Sequence, residues 1–360
     1  AGVVNDTTGT DNERGVIGYD WSQNTFLNNF YDSDVCTAGS GCASSIYVEA
    51  RPATTVLMKS VPTYLRTGGW DFANVWTTPG QVYEGQYPVL LWEAGQSALA
   101  VAYGGGDGLS AGTAYSITTA TQFISLMNDS AKWINGSHFA LGANIDLEGK
   151  EVSPIGSSGK PFNGNFNGAG FKISNFKING TADDDQVGLF GNIASSGVVR
   201  NLLIEGFTVT GDEMVGGLAG YSAGTIQRVG VHGPSMVETA TNTGRIGGLV
   251  GKLYKPGLIE ESYSNSSVSV RSTAGAYDLG GLAGSTGGLS GDLATIRNSY
   301  SHASISSSGG NIGGLVGYTQ YLTLTNSYFA GRATDTGAAD SERGVIGNDW
   351  GGGSSANTFF

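Results

Sequence analysis

Charge, histidine and cysteine are all scarce in this chain, and each scarcity excludes something. Charged residues are 13% of the 360, about half the ~25% usual in a soluble domain. Ser, Thr, Asn and Gly take their place, which suits a secreted β protein better than a helical cytosolic enzyme. The 18 basic residues are outnumbered by 30 acidic ones, and a net charge of −12 repels a phosphate backbone, so nucleic acid is not an expected partner. The three histidines, His138, His232 and His302, stand at no metal-binding spacing and read as surface residues. The two cysteines, Cys36 and Cys42, have five small residues between them. A local disulfide is the favoured reading and implies an oxidising compartment. Zinc would need further ligands close in sequence, and two free thiols are the remaining alternative. No run approaches the ~20 apolar residues of a membrane helix. No signal peptide is visible. Ala1 is not an initiator methionine, so a processed or excised chain is expected.

Glycine is what the chain has in excess, 60 of 360 residues against a usual ~7%. No Gly-X-Y period accompanies it, which excludes collagen. Instead a tetrapeptide returns: Gly188-Leu-Phe-Gly191, Gly217-Leu-Ala-Gly220, Gly248-Leu-Val-Gly251, Gly281-Leu-Ala-Gly284 and Gly314-Leu-Val-Gly317, with the variant Gly344-Val-Ile-Gly347. Successive first glycines are 29, 31, 33, 33 and 30 residues apart. Periods of this size mark stacked supersecondary units that cannot bury an apolar face alone. Each repeat has a Val-Gly-Gly-Leu-type step, then an apolar run, then an Asn/Ser–aromatic step, then a polar-alternating run. Two or three strands per repeat, joined by glycine turns, predict an all-β chain coiled as a parallel β-helix. In this reading the glycine between the two apolar positions bends the strand so that both point inward. The final glycine, such as Gly220, sits in a turn. Tyr263, Tyr300 and Tyr328 then form a ladder of packed rings; a carbohydrate-stacking stripe is the alternative. Phe123, Ile124 and Met127 at helical spacing predict one short capping helix near 119–128, with Thr119 or Thr121 as N-cap.

A longer repeat overlies the short one. Residues 12–18 return at 341–347, Asp20-Trp21 at Asp349-Trp350 and Ala1-Gly2 at Ala330-Gly331, all at an offset of 329. Asn24-Thr25-Phe26 returns at Asn357-Thr358-Phe359 after a four-residue insertion. The expected organisation is therefore the C-terminal part of one solenoid over 1–93, a Gly/Ala-rich linker over 94–114 and a second solenoid over 115–360, incomplete at its C-terminal end. Trp70, Trp76, Trp92, Trp350 and Phe360 are the candidate inter-unit residues, with aromatics closing an open core end. Such ends predict head-to-tail continuity, either in one covalent array or with neighbouring copies.

The ordered set of motifs resembles the GLUG repeat of bacterial surface proteins. Ile145-Asp-Leu147, Pro154-Ile-Gly156 and Phe166-Asn-Gly168 look like the opening of such domains, and Gly69-Trp-Asp-Phe72 with Asn74-Val-Trp76 and Tyr87-Pro88 look like their ending. The resemblance implies a right-handed helix displayed at the cell surface or outside the cell, and it carries over no catalytic residues. Surface glycans or host ligands are its candidate partners, beside further copies of the unit. The one cofactor suggested is Ca²⁺ at Asp183-Asp184-Asp185, where hard oxygen ligands meet at a turn; a solvated acidic loop is the competing reading. A polysaccharide lyase or hydrolase is the enzymatic rival, needing carboxylates across adjacent coils. Glu260, Glu261, Asp292 and Arg297 are its candidates, but nothing in the spacing sets them at a common depth, and no enzymatic activity is expected.

Overall fold

The computed structural model describes four short strands in the first 100 residues. From residue 103 to 359 it describes everything except 181–184, 240–243, 266–267, 273–277, 291 and 338–341. The chain divides into two compact units, Ala1–Ala100 and Val101–Phe360. In the first, Asn29–Asp32 pairs in parallel with Ala50–Ala53, and Trp76–Thr77 pairs antiparallel with Val89–Leu90.

The second unit is a parallel β-solenoid. Two of its sheets are each six strands deep, one strand per coil. The first sheet runs from Gln186–Val187 to Glu342–Arg343 and the second from Phe190–Ile193 to Ile346–Asp349. A third, bent sheet carries the remaining strands, such as Thr225–His232 and Ser235–Thr239. A coil thus holds four strand segments where the sequence pattern suggested two or three. The extra one arises because Met214–Gly216 and Ala219–Ser222 are separate strands on either side of a sharp corner.

Inward positions stack in columns. Val187, Val215, Ile246, Leu279 and Ile312 form one, paired coil to coil. Phe166, Val199, Ile226, Ile259, Ile296 and Leu324 form another. All are fully buried. The N-terminal coils are aromatic: Phe190 lies 5.1 Å from Phe162 and 5.7 Å from Phe166 between ring centres. The helix α1, Ala120–Asn128, lies at this end. The Thr119 hydroxyl caps it by accepting from Gln122 N, and Phe123, Leu126 and Met127 are buried. Ile124 packs at the margin of the core.

Residues 103–114, expected as linker, run along the first coil. Gly104 N donates to Ser116 O at 2.7 Å, and the Tyr103 ring sits 4.6 Å from that of Tyr115. Aromatic packing and backbone pairing override the linker-like composition there.

The motif glycines act by close approach. None of the ten that open or close the Gly-Leu-x-Gly tetrapeptides has positive φ. A Cβ on Gly217, Gly248 or Gly281 would run into a carbonyl of the next coil, and one on Gly314 into the Phe329 side chain of its own coil. On Gly220, Gly251, Gly284 or Gly317 it would meet backbone of the preceding coil. These last glycines lie inside strands, as Gly220 does in Ala219–Ser222, not in the turns expected from the sequence. The corner brings two sheets into backbone contact, which only glycine allows.

Candidate functional site

Two features of the solenoid carry enough chemistry to be candidate sites, an aromatic ladder and a pair of polar columns beside the glycine corner. Both are products of the coil register.

The ladder follows a bend in the third sheet. At that bend one residue per coil takes the left-handed conformation: Asn175, Asn201, Arg228, Glu261, Asn298, Asn326 and Asn357, with φ of 50–57°. Asparagine occupies five of the seven positions because its short polar side chain tolerates this region. The amides bond along the column, Asn326 Nδ2 to Asn298 Oδ1 at 3.2 Å and Asn357 Nδ2 to Asn326 Oδ1 at 2.9 Å. The two exceptions form an ion pair, Arg228 to Glu261 at 3.5 Å.

The next residue repairs the interrupted ladder. Ser262 Oγ accepts from Val229 N, Ser299 Oγ from Ser262 N and Ser327 Oγ from Ser299 N, at 3.1–3.2 Å. Each serine hydroxyl also donates to the carbonyl two residues before it. Ser299→Ala therefore orphans the buried Ser262 N–H. A loss of about 1–3 kcal/mol is expected, read as a shift in the urea midpoint, with Ser299→Thr largely restoring it.

The residue after the serine is the aromatic. Tyr263 and Tyr300 stack with ring centres 5.0 Å apart at 6°, and Tyr300 and Tyr328 at 5.1 Å and 9°. The expected ladder is present, and at Tyr300 its geometry favours the packed-ring reading. Each face of Tyr300 lies against a neighbouring tyrosine, so that ring turns only its edge to solvent, and stacking on a sugar needs a face. His232 Nε2 lies 2.5 Å from the Tyr263 hydroxyl, and the His302 ring is 4.9 Å from that of Tyr300. These two histidines serve the ladder.

The column extends to the last described coil. Tyr328 pairs with Phe359, and Asn357 is the left-handed residue of that coil. At the constant offset of 329, Asn357, Thr358, Phe359 and Phe360 fall on Asn28, Asn29, Phe30 and Tyr31. Asn28 and Phe30 are identical to their counterparts in this alignment.

The second feature is a pair of polar side-chain columns that flank the glycine corner. One is the column Gln186, Met214, Arg245, Asp278 and Asn311 of the first sheet. The other is Asn192, Tyr221, Lys252, Ser285, Tyr318 and Asn348 of the second. Side chains bridge the columns at both ends: Asn192 Nδ2 donates to Gln186 Oε1 at 2.8 Å, and Asn348 Nδ2 to Asn311 Oδ1 at 3.1 Å. In the middle lies Asp278, whose side chain is 8% exposed and 3.9 Å from Arg245 Nε. Asn311 Nδ2 donates to it at 2.8 Å. Burial raises the Asp278 pKa, opposed by the Asn311 hydrogen bond and the nearby Arg245 and Lys252 charges. Burial likewise lowers that of Lys252.

A folded pKa above the unfolded one means that the native state binds more protons. The stabilising contribution is therefore present at low pH and is lost as pH rises through the folded value. Asp278→Asn is expected to remove this dependence, and to gain stability relative to the parent chain as pH rises from 4 to 7. Thermal melts across that range test it.

The other sequence-derived candidates are not assembled into a site. Glu260 is paired with Arg297 at 2.7 Å and Asp292 with Lys255 at 2.7 Å, while Glu261 holds Arg228. Each nominated carboxylate is thus taken up by a basic partner. Asp185 is an exposed bend residue. Cys36, Cys42, Trp70, Trp92, Asp183, Asp184 and Phe360 lie outside the described residues, and of Trp76 only the strand pairing is described. Trp350 is 74% exposed. Among the described residues no cluster of three or more His, Cys, Asp or Glu is placed to hold a metal, and no helix is long and apolar enough to cross a membrane.

No family model matches the chain. It is 32% identical over 187 residues to halomucin of Haloquadratum walsbyi, covering 49% of this chain and 2% of that protein. It is 36% identical over 138 residues to a protein of Evansella cellulosilytica named as a Gly-rich membrane protein, covering 36% and 15%. An immunoglobulin A1 protease of Streptococcus sanguinis is 28% identical over 245 residues, covering 65% and 12%. The chain thus spans only a small part of these relatives. A crystal structure of a Bacteroides ovatus protein described as an immunoglobulin A1 protease superposes with a TM-score of 0.52 at 23% identity, covering 71% of this chain and 77% of that one. That likeness supports the fold.

Proposed function

We propose that the chain is a non-catalytic structural segment of an extracellular, cell-surface protein in which β-solenoids follow one another with a period of 329 residues. The observation that carries this reading is the chain's own restatement: residues 12–21 return at 341–350 with eight of ten identical at one offset. Within the first unit Phe30 pairs with Arg51, so the equivalent Phe359 is assigned a following strand of the Ala50–Ala53 kind.

The relatives named halomucin and Gly-rich membrane protein favour display at the cell surface. The Gly-Leu-x-Gly corner with its buried leucine favours a place among GLUG-motif surface proteins. Protease activity is not carried over, since this chain matches 12% of the Streptococcus sanguinis enzyme and contains no His-Glu-x-x-His.

The test is a chain continued in phase, with residues 32–100 appended after Phe360. Hydrogen exchange of the Ser354–Phe359 amides is expected to slow at least tenfold, because a partner strand covers their free edge. A scrambled extension of equal length should leave exchange unchanged. Equal exchange in both chains would overturn the tandem reading.

A further inference from the structure

One tyrosine of the ladder differs from the others. The Tyr263 hydroxyl meets His232 Nε2 at 2.5 Å, and among the described residues no other tyrosine hydroxyl bonds to a histidine. Both faces of its ring are covered. Tyr300 stacks on one at 5.0 Å. Gly230 lies against the other, where a Cβ would come within 2.6 Å of Tyr263 Cζ and of its hydroxyl oxygen. The register sets Leu203, Gly230, Tyr263, Tyr300, Tyr328 and Phe359 in one column, so the three phenols are consecutive. Tyr328 is 39% exposed, and Phe359 ends the run of oxidisable rings. Burial raises the Tyr263 pKa and Tyr300 adds to it, so the group is a protonated phenol at neutral pH. Such a phenol resists oxidation alone, because losing an electron leaves a strongly acidic cation. A base within hydrogen-bond reach removes that cost by taking the proton in the same step. Histidine is the side chain suited to hold it at neutral pH.

We propose that Tyr263 and His232 form a site of reversible one-electron oxidation, reached from solvent through Tyr328 and Tyr300. Tyr263 loses one electron to an organic peroxyl radical, which takes a proton from water and leaves as a hydroperoxide. The electron crosses the rings of Tyr300 and Tyr328, stacked at 5.0 and 5.1 Å, and both end as they began. The phenolic proton passes to His232 Nε2, giving a neutral phenoxyl radical beside an imidazolium. An enediol reductant such as ascorbate then supplies one electron and loses its own proton to water. His232 returns the first proton to Tyr263. The covered ring faces keep the radical from coupling with a second molecule. The site thus scavenges one-electron oxidants at the surface of the solenoid. The inference does not rest on the tandem reading, and its test does not touch the free edge.

The experiment oxidises the whole chain with photogenerated tris(bipyridine)ruthenium(III). The phenoxyl radical is followed by optical absorption and by high-field electron paramagnetic resonance, which reports a hydrogen bond to the phenoxyl oxygen. A long-lived, hydrogen-bonded radical is expected, formed more slowly in deuterated water and quenched by ascorbate. Tyr263→Phe is expected to shorten the radical lifetime at least tenfold and to remove the hydrogen-bonded signature. Tyr300→Phe should lower the yield of that radical at least threefold and leave its signature unchanged. His232→Phe should abolish both the hydrogen-bonded signature and the effect of deuterated water. Tyr254→Phe, in the separate stack on Tyr221, should change nothing. Far-UV circular dichroism confirms folding, and the two ladder Tyr→Phe variants, which keep the rings, carry the test if His232→Phe does not fold. The proposal is overturned if the long-lived radical survives Tyr263→Phe, if its signature shows no hydrogen bond, or if Tyr300→Phe leaves its yield unchanged.

Discussion

Gly280→Val is expected to prevent the central coils from stacking, with a loss of more than about 3 kcal/mol. A Cβ at this position would lie 2.7 Å from Leu315 O and still closer to Ala283 O. An ordinary overpacked core costs about 1–3 kcal/mol, because side chains can rotate aside. Here both obstacles are backbone, one across the corner and one in the next coil. Moving either strains the same contact at Gly247 and Gly313, whose added Cβ atoms would meet Val250 O and Val316 O. The contrast is Gly136, with φ of +90° and nothing within 4 Å. Gly136→Ala should cost only about 1–2 kcal/mol, the penalty of a left-handed backbone. Urea unfolding of both variants separates close approach from conformational freedom as the reason for glycine.

Phe190→Ala is expected to cost about 3–5 kcal/mol, the range for a buried aromatic lost from a packed core. Phe190 is fully buried and touches the aromatic cluster that joins the capped end to the first regular coil. Its column partner is Ala219, too small to fill the space vacated. In a solenoid each coil rests on its neighbours, so the damage should be local. Hydrogen exchange is expected to show protection lost across residues 139–204 and kept across 294–329. Uniform loss along the whole unit would show instead that the coils unfold as one body.

The coil period was readable because glycine and leucine return at near-constant spacing. The capping helix was readable because Thr119, Phe123 and Met127 stand at cap and helical positions. Four things were not. The corner that divides each coil's first strand pair depends on contacts between coils some thirty residues apart. The left-handed column is written as Asn298-Ser-Tyr300 and Asn326-Ser-Tyr328, but Arg228 and Glu261 interrupt the asparagine pattern that would mark it. The place of Phe359 in the tyrosine column comes from its pairing with Tyr328, which no local pattern carries. The two polar columns are brought to either side of one corner by glycine, and no local pattern relates them.

The ion pairs between coils add little to this account. Arg297 to Glu260 and Arg271 to Glu238 both leave the arginine about half exposed, and pairs of that kind contribute roughly 0–1 kcal/mol. Their use is in register, since each links equivalent strands of adjacent coils.

Spin-label distances along one outward column test the stacked-coil architecture most directly. Arg200, Gln227, Glu260, Arg297, Thr325 and Ala356 occupy successive coils in register. With Cys36 and Cys42 replaced by serine, labels are placed at position 200 and at 297, 325 or 356 in turn. The separations are expected to rise in equal steps of ~4.8 Å per coil, to about 14, 19 and 24 Å. Separations that do not grow by one constant step per coil would contradict the architecture on which both proposals stand.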